Sequence, residues 1–465
     1  MSDTGPLLLA DDGGTQSTKV LLVDAHGHVH TRARNALRPL ARGSAGEAEH
    51  PDDDLWDSLV AAVRTTLDDW GGDPARVVAL GLCSIRCCQV VLDEAGRLLA
   101  PVRSWMDRRT WQPWASDELV ADDRVATVGA ASAYLTARLT GERVDAAAAY
   151  DQVWLGANQA PAALLPPVVE AGEVLGGLTA PAAAALGLPA GLDVVATGND
   201  KAVEALGAGM VAEEDALLLS LGTYVAAMTP VSSGGPRERA AADGPATWLN
   251  DACPAGTRLA ETGGVRHGMG TVSWTARLAD QDVRALGEAA TEVHPGAGGV
   301  IVAPDWLAPT DEPWRSGAVL GLRDAHGPAH LFRAVLEGLV LTMADHVRAT
   351  EDDLGHRFAR IVLTGGGASS PLMAAMVAAA LDRPVVRPEQ TDAAGLGAAV
   401  CAAVGAGLHG GWDAAVAAMV RRGPEETPAP GLVDAYATLA PRHRALREGV
   451  AAILAAAQDV YDHPA

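Results

Sequence analysis

Apolar residues arrive in short aliphatic runs separated by glycine-rich or acidic turns. Residues 7–10 (LLLA) and 20–23 (VLLV) are of strand length. An acidic turn carrying Gly13 and Gly14 lies between them, and Asp24-Ala25-His26-Gly27 is a second turn before a third extended segment. The pattern predicts a β-meander. It returns where residues 217–219 and 225–228 flank the turn Ser220-Leu221-Gly222-Thr223. Gly14-Thr15 and Gly222-Thr223 stand 208 positions apart, 222 against 14, close to half the chain, as two domains of one plan would place them. In a third motif, residues 361–363 predict a strand and Gly365-Gly366-Gly367 a flexible turn. Ser370-Pro371 then supplies the N-cap and first position of a helix running to about residue 381. Residues 389–407 predict a helix of small residues that packs closely against a nucleotide or another helix. Residues 441–458 predict an amphipathic helix on the second domain, the proline-rich 421–431 a linker, and 231–246 a loop between strands.

A length of 465 residues sets the expectation of two domains, with a boundary near 209–214 that divides the chain into 1–210 and 211–465. The formal net charge of −23 argues against nucleic acid or an anionic membrane as partner, since both are bound by neutralising phosphates, but leaves ATP open. Cys83, Cys87, Cys88, Cys253 and Cys401 are odd in number and lack a CxxC pair, so neither a disulfide framework nor a zinc site is expected. A reducing cytoplasm fits best. MSDTGP has no signal-peptide character, and residues 393–408 are too short and small for a membrane span.

The first turn is not a P-loop, because that motif needs Gly directly before Lys19 and a helix behind it. What remains is a hairpin whose glycines allow close approach to a ligand. Thr15, Ser17 and Thr18 would add hydroxyls, Lys19 an ammonium and Asp12 a carboxylate. A plain tight turn is the other reading. Two Gly-Thr hairpins facing each other would grip a polyphosphate from both sides.

DGGTQSTK, SLGT, GGGASSP and the long stretch GAVLGLRDAHGPAHLFRAVLE, with Gly321, His330, Ala334 and Glu337, resemble the FGGY family of carbohydrate kinases in order and spacing over nearly the whole chain. The family shares its ATPase core with actin and hexokinase. The resemblance implies an α/β fold of two ribonuclease H-like, actin-like ATPase domains with an interdomain cleft. It implies ATP and Mg²⁺ as cofactors, a small-molecule sugar or polyol as substrate, and suggests a homodimer. Asp12, Gly14, Thr15, Ser17, Lys19, Gly222, Thr223, Gly264, Gly365, Gly366, Gly367 and Ser370 would then face the nucleotide. Asp12 would help hold the metal together with Asp200. Asp200, in VVATGNDKAVEALGAG, matches the family's general base, although as a residue it also suits a helix N-cap. Arg86, Cys87, Trp105, Asp107, Asp200 and Lys201 would form the sugar pocket, with Trp105 as an apolar wall and Asp107 as a hydroxyl acceptor.

The departures concern substrate. Ile85-Arg86-Cys87 replaces the polar runs of xylulose and glycerol kinases, and Cys83, Cys87 and Cys88 equally suit apolar filling. Lys201 stands where the family has an amide, and would weaken Asp200 as a base by pairing with it. The region after Asp107 is shortened, and Arg108 and Arg109 equally suit surface ion pairs. The alternatives are a kinase of an atypical carbonyl or polyol metabolite, or a catalytically weak nucleotide- and sugar-binding sensor of the same fold.

Overall fold

The aliphatic runs build two sheets on one plan. In a computed structural model, which describes residues 5–44, 46–211, 215–243, 247–309, 312 and 314–457, Leu7–Gly13, Ser17–Asp24 and Val29–Ala36 form the antiparallel meander. The first two strands are buried on both faces, as their unbroken aliphatic runs require. Val29–Ala36 alternates between half-buried and exposed, as an outer strand does. Val77–Ser84 and Asp193–Asn199 extend the sheet in parallel, and Val174–Gly177 ends it antiparallel, giving six strands. In the second sheet, Ala216–Leu221 and Val225–Ser232 make the hairpin. Thr257–Val265 and Thr247–Asp251 continue it antiparallel, and Arg360–Thr364 and Val385–Val386 extend it in parallel. Each sheet thus places a hairpin beside two parallel strands, which is the duplication expected from the repeated Gly-Thr turn.

The small-residue helix, Ala393–Gly405, finds helix and sheet as its partners. A Cβ on Gly397 would lie 1.9 Å from the Val203 carbonyl oxygen, and one on Gly207 1.9 Å from that of Ala393. The helix therefore touches Asp200–Gly207 backbone to backbone. On its other side it covers the first sheet, where a Cβ on Gly81 would lie 2.3 Å from the Ala398 carbonyl oxygen. An element from late in the chain so completes the first core.

Three local expectations are corrected. Residues 231–243 are no loop: the strand runs to Ser232 and Pro236–Asp243 is a helix, while 244–246 lie outside the described residues. The final helix is Pro430–Ala456 and carries Pro441 inside it; Gln458 lies outside the described residues. The 421–431 stretch is partly ordered on the second sheet, where Glu426 and Val385 exchange backbone hydrogen bonds of 2.8 and 2.9 Å. Of the residues at the expected boundary, 212–214 lie outside the described set. Among the described residues, no helix is long and apolar enough to cross a membrane.

Candidate active site

The tips of the two hairpins meet. Gln16 Nε2 donates to Thr223 Oγ1 at 3.3 Å, bridging the two Gly-Thr turns. The first turn is closed by Gly14 N donating to Ser17 O at 3.1 Å, and Trp105 Nε1 donates to Thr15 Oγ1 at 3.3 Å. Behind the tip, the expected polar groups already have protein partners. Lys19 Nζ lies 3.0 Å from Asp12 and 3.5 Å from Asp392, Ser17 Oγ accepts from Arg34 Nε at 2.7 Å, and Thr18 Oγ1 is 2.5 Å from Ser58 Oγ. Gly14 and Thr15 are therefore the open part of the first turn.

Backbone packing fixes the second turn. Gly365, at φ 77°, leaves no room for a Cβ, which would lie 2.7 Å from Leu221 carbonyl atoms; at Gly264 a Cβ would lie 1.8 Å from the Val225 carbonyl oxygen. Gly268 and Met269 donate their amides to the carbonyls of Thr223 and Gly222 at 2.8 and 3.1 Å. Gly366 has open space around it, Gly367 lies against Leu221 and Met269, and Ser370 caps its helix by accepting from Met373 N at 3.3 Å.

Asp200 opens the helix Asp200–Gly207 directly after the strand Asp193–Asn199. Asn199 is the N-cap: its side-chain oxygen accepts from Lys201 N and Ala202 N at 3.0 and 3.1 Å. The half-buried Asp200 carboxylate is thereby left for the cleft, where Arg86 N approaches it at 3.4 Å. Lys201 does not pair with Asp200. Its Nζ bonds Glu204 at 2.7 Å and Ser220 Oγ at 2.8 Å, while Thr364 Oγ1 donates to Glu204 at 2.7 Å, so this buried pair ties the first half to the second sheet. Burial opposes both charges of that pair and their mutual attraction maintains them, which holds Lys201 up and Glu204 down.

The cleft between the halves has a volume of about 750 Å³ and is lined by Arg86, Cys87, Trp105, Asp200 and Lys201, as expected, and by Thr15. Asp107 is a correction. It is fully buried, and its carboxylate accepts from Ala48 N at 2.8 Å and from Arg109 N, Nε and Nη2 at 2.8–3.0 Å, so it is not a wall of this cleft. Burial pushes the Asp107 carboxyl up, and these donors more than reverse it. Cys83, Cys87 and Cys88 are all buried, and burial raises their thiols, that of Cys88 to about 12, as apolar filling requires.

Sequence reasoning missed a polar cluster around Arg86 in the cleft. Arg86 Nη1 donates to Glu261 at 2.8 Å and to Asp151 at 3.2 Å, and Asn250 Nδ2 reaches the same two carboxylates at 2.6 and 3.2 Å. Burial works against the Arg86 charge, and Glu261 and Asp151 more than offset it. Glu261, an acid inside a buried strand, was the available signal. Tyr224, Arg266 and His346 also line the cleft. Burial pushes Asp12 up against the pull of Lys19, and the charges of Asp200 and Glu204 push it the same way, so these carboxylates share one field.

Comparison with known proteins shows what the chain resembles in sequence and fold. The N-terminal domain model of the FGGY family of carbohydrate kinases matches residues 7–118 and the C-terminal domain model residues 217–406. The uncharacterized sugar kinase YgcE of Escherichia coli (strain K12) is 36% identical over 441 residues, spanning 89% of this chain and 87% of that protein. Glycerol kinase of Methylibium petroleiphilum is 27% identical over 472 residues, 87% of this chain and 92% of that one. The ligand-bound xylulose kinase from Lactobacillus acidophilus superposes with a TM-score of 0.81 at 18% identity, over 96% of this chain and 99% of that one, and shares the two-domain, actin-like ATPase fold.

Proposed function

The chain belongs to the FGGY family of carbohydrate kinases, enzymes that transfer phosphate to an alcohol group, and from that premise we propose its substrates and its catalytic residues. The reaction passes the γ-phosphoryl group of ATP to a hydroxyl of a small sugar or polyol, a ketose such as a pentulose or a glycerol-like polyol. The observation that carries the assignment of the base is the freeing of Asp200 by Asn199: the carboxylate stands in the cleft without a capping task. The substrate hydroxyl gives its proton to an Asp200 carboxylate oxygen as its own oxygen bonds to the γ-phosphorus. The bond from that phosphorus to the bridging oxygen breaks, and ADP leaves. Backbone amides around Gly14-Thr15 and Gly222-Thr223 hold the phosphates, and the Trp105 ring walls the sugar carbons.

The donor set suits Mg²⁺, which keeps few carboxylate ligands beside phosphate and water. Asp12 and Asp200 are oxygen donors in a shared negative field, and no cluster of three or more His, Cys, Asp or Glu groups suited to a metal occurs among the described residues. Bound there, Mg²⁺ would neutralise phosphate charge. The engagement of Lys201 by Glu204 favours catalysis over the sensor reading, which drew support from a Lys201–Asp200 pair. The test is ADP release against a panel of pentuloses, hexuloses, polyols and glycerol. Asp200→Asn is expected to lower kcat about 10²- to 10⁴-fold with the ATP KM nearly unchanged. An unaltered kcat removes Asp200 from the role.

A further inference from the structure

We infer that the sugar end of the cleft is built for an acidic sugar, a small polyhydroxy carboxylate whose carboxylate docks on Arg266. The inference rests on the kinase reading above and names the substrate class of that same site. Arg266 follows the strand Thr257–Val265 and lines the cleft together with Trp105, Trp248 and Asp200. Its guanidinium lies over the Trp105 ring, 5.7 Å from the centroid, and Nη1 donates to the Ala308 carbonyl at 2.6 Å. The remainder of its five N–H donors have no protein acceptor among the described residues.

The contrast with the other cleft arginine decides the argument. Arg86 is matched by Glu261 and Asp151, and Lys201 by Glu204, whereas no carboxylate among the described residues forms an ion pair with Arg266. Burial works against its charge, and among the described residues only Tyr224 opposes that effect. A partly buried cation is unfavourable without a counter-charge, and a neutral sugar brings none. A carboxylate fits the planar fork of a guanidinium with two parallel hydrogen bonds, while the sugar carbons lie along Trp105. The other anion within reach is the nucleotide phosphate, since Trp105 also touches Thr15 of the first hairpin. The experiment separates the two.

ADP release is measured with aldonates of three to six carbons and, in parallel, with the matching alditols and ketoses, for the wild type, Arg266→Met and Arg266→Lys, with melting curves for each. The expected result is that one or more aldonates exceed their neutral counterparts by about 10- to 100-fold in kcat/KM, the worth of a charge-assisted pair. Arg266→Met should abolish that margin through KM, Arg266→Lys should keep part of it, and the ATP KM should stay within about threefold. If Arg266→Met does not fold, the Lys variant carries the comparison by losing part of the margin with the ATP KM unmoved. Preference for a neutral sugar overturns the inference and leaves the kinase reading standing. A rise in the ATP KM in place of the aldonate KM overturns it too, by making Arg266 a phosphate ligand. Silence with every substrate counts against the kinase reading. Calorimetric binding of the aldonates then decides the inference: affinity lost in Arg266→Met supports it, and absence of binding overturns it.

Discussion

Single residues decide what the acidic opening turn means, and one of them was not legible. Asp11 sits within a strand, opposite Val20, 1% exposed, and neither of its carboxylate oxygens has a hydrogen-bond partner among the described residues. In sequence it merges with Asp12 into a polar turn, because nothing local reports that the strand continues through both. A small cavity bounded by Gly13, Gly14, Thr18 and Ser84 lies beside it. Burial pushes the Asp11 carboxyl well above its ordinary range, and the neighbouring Asp12 charge adds to this. A carboxyl raised on folding keeps its proton longer than in the unfolded chain, so stability falls as pH climbs from the unfolded value near 4 through the folded one. Asp11→Asn should therefore raise Tm at pH 8, by about 2–4 °C for each kcal/mol recovered, and change it little at pH 4. Calorimetry across that range checks it, and an increment that does not depend on pH would refute the buried-acid account. The same scale explains the split at Asn199-Asp200. Both types cap helices well, and only the backbone geometry assigns the cap to Asn199 and frees Asp200. Asp107 failed for the opposite reason: the half-buried arginine partner that engages its carboxylate is two positions away and as compatible with the surface as with the core.

At the scale of elements, composition announced close packing without naming the partner. The helix Ala393–Gly405 was expected to meet either a nucleotide or another helix, and Gly397 against Val203 settles it for the helix that begins at Asp200. Gly→Ala in a helix normally stabilises by about 1 kcal/mol. At Gly397 a Cβ 1.9 Å from a backbone oxygen forces the two helices apart, and the net effect should be destabilising by about 1–3 kcal/mol. Gly449, in Pro430–Ala456, has nothing among the described residues within 4 Å of such a Cβ, so Gly449→Ala should stabilise by about 0.5–1 kcal/mol. Opposite signs in urea titrations confirm the packing argument, and equal signs remove it. The last helix shows where element boundaries escape sequence: Pro430 and Pro441 are both good first-turn residues, and the chain uses Pro430 while carrying Pro441 inside the helix. The long stretch around His330 to Glu337 was legible as a family signature but not as structure. Glu337 accepts from Arg333 Nε at 2.9 Å and from Gly296 N at 3.0 Å, which makes it a buried tie within the second core.

For the whole molecule, the 208-residue spacing of the Gly-Thr turns foretold two similar sheets, because local turn chemistry and strand periodicity repeat in register with the fold. The ties between the halves could not be foretold in this way. Each pairs residues far apart in sequence: Gln16 with Thr223, Glu204 with Thr364, and Arg86 with Glu261. The last lies at the cleft and, under the proposed function, would join binding to stability. Glu261 is wholly buried, and burial pushes its carboxyl up while Arg86 pulls it down. Arg86→Ala leaves Glu261 and Asp151 facing each other without a cation, so a loss of about 3–5 kcal/mol is expected together with a higher sugar KM. In that variant Glu261 would retain its proton to higher pH, and stability should drop as pH rises through that range. Glu261→Gln added to Arg86→Ala removes the unpaired charge, and should restore much of the stability while leaving the KM raised. If stability and KM recover together, Arg86 acts on the sugar only by holding the halves in place; if stability alone recovers, the guanidinium contacts the sugar itself.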